Sequence, residues 1–257
     1  MFGKKKRAQN QRATAQVAVS DVLRQAANAL LANIEFSSVD AEIKSVAVTS
    51  AAPNEGKSTV SLALAIAAGN KGKRTLIVEN DLRRRSLGTA LNTHPEHGLH
   101  AVLTKKASLE EAATATAYKN LDFLDAEAGL PNPEEILASQ MYGKVIREAR
   151  EAYDFVVVDT PPVGVYADAL MVSREVDGTL LVIREGETKR KEAQLAVEQL
   201  RGAGAHILGL VMNCQSSDSA GSYGYYGYYY EEKTVPADSP EARQAMTASE
   251  QAKEQSK

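Results

Sequence analysis

The chain has 257 residues, 44% hydrophobic and 25% charged, enough to bury a core of ordinary size in one α/β domain. Its 30 Lys and Arg against 33 Asp and Glu leave a net charge of −3, which gives no electrostatic reason to expect a nucleic-acid partner. A lone cysteine, Cys214, excludes an internal disulfide framework and a cysteine-cluster metal site, and it reads as a small buried residue at a strand end.

Residues 1–16 read as a disordered basic tail. The run Lys4-Lys5-Lys6-Arg7 is not followed by the apolar stretch of a signal peptide. It is a solvated tail or, alternatively, a weak attraction to an anionic membrane surface. Residues 17–36 have the spacing of an amphipathic helix, with Val19, Val22, Leu23, Ala26, Ala27, Leu30 and Ile34 on one stripe. Strand-like runs then follow at 45–49, 75–78, 121–124, 155–158, 179–183 and 207–212, alternating with helical patterns at 57–68, 108–113, 133–152, 167–174 and 189–203. Near-continuous Val, Ile and Leu runs predict strands covered on both faces. The expectation is a doubly wound, mainly parallel α/β domain over 17–215, with ligands at the carboxyl ends of the strands. Residues 216–257 change abruptly to Ser, Gly and Tyr and then to polar sequence without period, and read as a flexible tail. No apolar run reaches the ~18 residues of a membrane-spanning helix, so the expected location is the cytoplasm.

The chemistry concentrates at strand ends. Ala51-Ala52-Pro53-Asn54-Glu55-Gly56-Lys57-Ser58-Thr59 follows a strand and opens a helix, the context of the phosphate loop G-x-x-x-x-G-K-[ST]. Ala52, Pro53, Asn54, Glu55, Gly56, Lys57, Ser58 and Thr59 would form the cradle, with backbone N–H groups of the loop and the helix N-terminus surrounding a β-phosphate, Lys57 neutralising β/γ charge and the Ser58 hydroxyl ligating magnesium. The first glycine of the pattern is replaced by Ala51. Two further runs end in acids: Phe155-Val156-Val157-Val158-Asp159, suited to holding magnesium, and Thr75-Leu76-Ile77-Val78-Glu79-Asn80-Asp81. One acid at a strand end says little; three such ends on one sheet edge form a nucleotide site.

With these motifs the sequence resembles the bacterial tyrosine kinases of capsule and exopolysaccharide synthesis, P-loop proteins of the deviant Walker class. The resemblance spans residues 18–230 and rests on Ala51–Thr59, on 76–83, on Asp159-Thr160-Pro161-Pro162 and on a terminal tyrosine cluster. It implies ATP and Mg2+ as ligands and an ATP:protein-tyrosine phosphotransferase activity. In that scheme Lys57 contacts the phosphates, Ser58 and Asp159 hold the metal with Asp81 beside it, and Asp81 and Glu79 serve the chemistry. Asp81 orients or deprotonates the acceptor hydroxyl. Asn213 matches a family position near the adenine. The related septum-site and partitioning ATPases carry a second lysine where this chain has Ala52, which favours the kinases over that alternative, a nucleotide-dependent switch. Two departures are visible. Glu79 stands where the family has aspartate, and Gln25, Asn28 and Leu31 replace the charged Glu-x-x-Arg-x-x-Arg pattern that builds a ring oligomer. With that pattern and the family's strand aspartate both gone, a third alternative is a catalytically impaired scaffold.

Tyr223, Tyr225, Tyr226, Tyr228, Tyr229 and Tyr230 fall within eight residues, broken by Gly224 and Gly227. So many aromatics without aliphatic neighbours do not suit a core; the alternatives are a low-complexity sticky tail or a stacking surface for sugars or bases, but beside a phosphate loop they read as phosphate acceptors. The resemblance further implies two partners: a neighbouring copy that takes the tail in trans, and a separate membrane-anchored activator of the polysaccharide co-polymerase kind, which would recruit the chain to the inner face of the membrane. Arg83-Arg84-Arg85 is either a solvated basic turn or a phosphate or subunit contact. Asp168 reads as a helix cap rather than a group near the metal. Pro161-Pro162 stiffens the turn after Asp159. His94, His97 and His100 sit in a loop without an acid cluster and carry no metal expectation.

Overall fold

Near-continuous apolar runs do become strands. The computed structural model describes residues 20–38, 42–127 and 132–214, within one unit that ends at Cys214. Val19, the basic tail and the tyrosine cluster lie outside the described residues. The elements run α1 (Asp21–Phe36), β1 (Ser45–Ser50), α2 (Lys57–Asn70), β2 (Thr75–Glu79), α3 (Leu87–Leu91), α4 (Leu99–Leu103), α5 (Leu109–Ala112), β3 (Thr114–Ala115), β4 (Leu121–Leu124), α6 (Pro133–Leu137), α7 (Gln140–Ala152), β5 (Phe155–Asp159), α8 (Asp168–Val172), β6 (Gly178–Arg184), α9 (Arg190–Gly202) and β7 (Ile207–Asn213). The strands form a 7-stranded sheet in the order β3-β4-β2-β5-β1-β6-β7. Every pairing is parallel except β3 with β4, an antiparallel edge that the sequence patterns did not announce.

Residues in β1, β2 and β5 are fully buried because alternate side chains fill two different cores. Val46, Val48, Ile77 and Val157 pack with α1 and α2; Ala47, Leu76, Val78, Val156 and Val158 pack with α4, α5 and α7. Helix α2 is apolar on nearly every side, with Val60 through Gly69 buried, as a helix lying between a sheet and another helix must be. Its crossover carries the chain from β1 past β5 to β2, which opens a switch point at the carboxyl ends of those strands.

Several expectations are corrected. The buried stripe of α1 is Ala27, Leu31 and Ile34, with Leu23 and Leu30 beside it, while Val22 is 78% exposed. Leu23, Ala27, Leu30 and Ile34 of the expected stripe do pack, whereas Val22 and Ala26 face outward and Leu31 joins the core, so the buried stripe is rotated by part of a turn. Leu31 is core, and Gln25 and Asn28 are exposed and neutral, so the charged ring pattern has no counterpart on this helix. The pattern at 133–152 splits into α6 and α7 because the Ser139 hydroxyl accepts from the N–H of Tyr142 and starts a new helix. β7 is not covered on both faces: it is an edge strand, and Leu210 and Met212 are each about half exposed. Cys214 follows it, exposed and with a positive φ of 56°, rather than buried. His100 stands in α4, not in a loop.

Candidate active site

The strand ends converge. β1 runs into the loop 51–56, which turns into α2 at Gly56 with φ 91°. No side chain caps α2, so its first N–H groups are left for an anion. The Lys57 ammonium lies 3.2 Å from Asp81 at the end of β2 and 3.4 Å from Asp159 at the end of β5. Ser58 Oγ donates to Asp159 Oδ2 at 2.6 Å. Ser61, one helical turn past Lys57, donates to the other oxygen at 2.9 Å. Sequence reasoning passed over Ser61, although its spacing from Lys57 and Ser58 places it on the same face of α2. A cleft of about 200 Å³ opens above this cluster, lined by Pro53, Asn54, Gly56, Lys57, Ser58, Thr59, Asp81, Arg84, Ser86 and Pro162.

Other residues of the expected set stand behind the cleft. Glu55 is buried, with one carboxylate oxygen accepting from the N–H of Ala52 at 2.8 Å and the other bonded to Thr188. Asn213 donates to the Glu55 carbonyl at 2.9 Å, so it braces the loop from the end of β7. Asp159 is fully buried beneath Lys57 and Ser58. Asp168 is not a cap: its buried carboxylate takes the Arg83 guanidinium at 3.0 Å, and Ala167 occupies the cap position. Arg83 in turn covers the Tyr166 ring at 4.2 Å. The loop after Asp159 packs close to the phosphate loop, since a Cβ on Gly164 would lie 2.3 Å from the Ala51 carbonyl.

Glu79 points elsewhere. It pairs with Asp159 in the strand register, yet its Oε2 accepts from the N–H groups of Ser86 and Leu87, both at 2.7 Å. The longer side chain thus staples the loop 80–86 that carries Asp81. Asp81 shapes the same loop by accepting from the N–H of Arg84 at 2.8 Å.

Burial dominates the electrostatics. It pushes Glu79 up to about 7, with the charge of Asp159 adding to the shift against the two N–H donors and Lys57. Burial also raises Asp159, opposed by Lys57, Ser58 and Ser61. For Lys57 burial disfavours the charge, but Asp159 and Asp81 outweigh it and its pKa lies above the ordinary value. A carboxyl whose folded pKa exceeds its unfolded value binds its proton more tightly in the native state. Stability is therefore greatest below about 4.5 for this group and is lost as pH rises towards 7. In magnesium-free buffer the urea midpoint should fall between pH 5 and 7, and Glu79→Gln should flatten that slope; an unchanged slope would show that Glu79 does not titrate there.

Among the described residues no cluster of three His, Cys, Asp or Glu side chains is arranged to hold a metal. The set Ser58, Asp159 and Asp81 instead fits a magnesium ion that takes few protein oxygens and completes its shell with phosphate and water.

A family model for the AAA domain matches residues 43–183, more than half of the chain. The tyrosine-protein kinase YwqD of Bacillus subtilis (strain 168) is 42% identical over 181 residues, spanning 70% of this chain and 76% of that protein. The kinase domain of the Escherichia coli tyrosine kinase ETK superposes at a TM-score of 0.70 and 31% identity, covering 76% of this chain and 78% of the other. The septum site-determining protein MinD from Pyrococcus horikoshii OT3, complexed with Mg-ADP, superposes at 0.57 and 25% identity, over 68% of this chain and 73% of that one. No helix among the described residues is long and apolar enough to cross a membrane. With this sheet order, this phosphate loop and these relatives, the chain belongs to the AAA domain family of P-loop proteins and, within it, to the bacterial tyrosine-protein kinases.

Proposed function

We propose that the chain is an ATP-dependent protein-tyrosine kinase that phosphorylates its own tyrosines 223, 225, 226, 228, 229 and 230 and thereby regulates capsular or exopolysaccharide synthesis. The observation that carries this reading is the meeting of Lys57, Ser58, Asp81 and Asp159 from three strand ends. Lys57 stabilises the β/γ-phosphate oxygens, and the amides of residues 56–59 hold the β-phosphate. Ser58 and Asp159, with Asp81 beside them, would hold the magnesium ion, whose chemistry is to neutralise charge on the β and γ oxygens. Free tyrosine has a pKa near ~10 and needs a base: Asp81, on the cleft wall, accepts the phenol proton as the phenol oxygen bonds to the γ-phosphorus, the bond from that phosphorus to the β–γ bridging oxygen breaks, and ADP leaves with its new charge facing Lys57. Glu79 acts by holding the Asp81 loop. Asn213 bears on the nucleotide through the Glu55 carbonyl and Gly56.

The acceptor tail is supplied by a second copy, and each phosphotyrosine adds about 1.5–2 negative charges, so accumulated phosphate drives the tail out of the neighbour's site. A separate membrane-anchored activator brings the chain to the cytoplasmic face of the membrane. Incubating the protein with ATP and magnesium and blotting for phosphotyrosine tests the reading, with a chain lacking 223–230 as the control. Label that is lost with the cluster is expected. Phosphate release without label would leave a nucleotide-dependent switch of the partitioning kind, and neither signal would leave a catalytically impaired scaffold.

A further inference from the structure

Three consecutive arginines leave β2, and the fold sends them to different partners. Arg83 is held by Asp168 at 3.0 Å and by Glu134 at 3.2 Å. Arg85 is bound to Asp125 through two nitrogens, with Nε at 3.0 Å from Oδ1. Arg84 has no carboxylate partner among the described residues. It lines the cleft, and its Nη1 donates only to the Asn54 amide oxygen, at 3.1 Å across the opening. Its backbone is fixed, because its own N–H is bound to Asp81.

The charge balance of the cleft gives this arrangement a purpose. Among the described residues Lys57 is the only other cation on its wall, and two carboxylates already face that lysine. A magnesium-bound triphosphate brings further negative charge that Lys57 cannot match alone. We propose that Arg84 is the residue that recognises the terminal phosphate: its guanidinium exchanges the neutral Asn54 amide for γ-phosphate oxygens, in the forked geometry that suits arginine to phosphate. The γ end is assigned because Arg84 stands on the Asp81 loop, and Asp81 faces the acceptor hydroxyl, which must meet the γ-phosphorus. That last step rests on the kinase reading above.

The test compares magnesium-bound ATP and ADP on the full chain by titration calorimetry, for wild type, Arg84→Ala and Arg84→Lys, with thermal melting to confirm the fold. Arg84→Ala is expected to weaken ATP about tenfold or more and ADP less than about threefold, as loss of a charge-assisted phosphate contact predicts. Arg84→Lys, which keeps the charge without the fork, should fall between. Tyrosine labelling by Arg84→Ala should drop on the order of 10²-fold at saturating ATP. ATP and ADP weakened alike, or neither weakened, overturns the assignment. Should wild type transfer nothing to tyrosine, the kinase reading falls, while the ATP-to-ADP comparison still decides the role of Arg84.

Discussion

Lys57→Met is expected to reduce phosphotyrosine formation on the order of 10²–10³-fold, the loss that follows removal of one electrostatic contact to a transition state in a water-poor site. Lys57 sits within 3.4 Å of both Asp81 and Asp159, and its own pKa is held up by them, so it is charged throughout the working pH range. Methionine keeps the length of the side chain and removes the charge. Two acids then face the polyphosphate with no lysine between them, and the buried Asp159 loses a counter-charge that offsets its burial. Label incorporation at saturating ATP measures the effect, with circular dichroism to confirm the fold. A variant that retains a tenth of the wild-type rate would exclude Lys57 from the chemistry.

Gly56→Ala should be nearly as damaging, through sterics alone. At φ 91° an alanine costs about 1–2 kcal/mol of backbone strain. Its Cβ would also lie 2.0 Å from Asn213 Nδ2, so Asn213 must swing out and release the Glu55 carbonyl. The phosphate loop would then lose its brace from β7, and a displacement of that size is expected to weaken ATP binding about 10²-fold. Gly72→Ala separates the two causes. Gly72 has φ 97° and open space around it, so alanine there strains the backbone without touching the loop. Equal losses of nucleotide affinity in the two variants would show that strain, not the Asn213 contact, is responsible.

Much of the fold was legible because its signals are local. Alternating β and α periods, short links and apolar strands without polar interruption define a parallel sheet, and β1, β2, β5 and β6 lie where those runs place them. Three of the departures share a cause. The rotation of α1, the exposed face of β7 and the exposure of Cys214 depend on what covers each element, and composition does not encode the neighbour. The break at Ser139 is different: its capping hydroxyl is a local signal, overlooked inside a long helical pattern.

The site divides the same way. Residue types and their order along the chain determined that a lysine, a hydroxyl and carboxylates would meet at one sheet edge, because parallel strands deliver their carboxyl ends to the same side. Only the tertiary structure decided their directions. It turned Glu79 onto the amides of Ser86 and Leu87, drew Asp168 to Arg83, and left Arg84 alone of three identical neighbours facing the cleft. Those choices are made by hydrogen-bond and ion-pair partners 7 to 85 residues away in sequence, a separation that no local pattern can report.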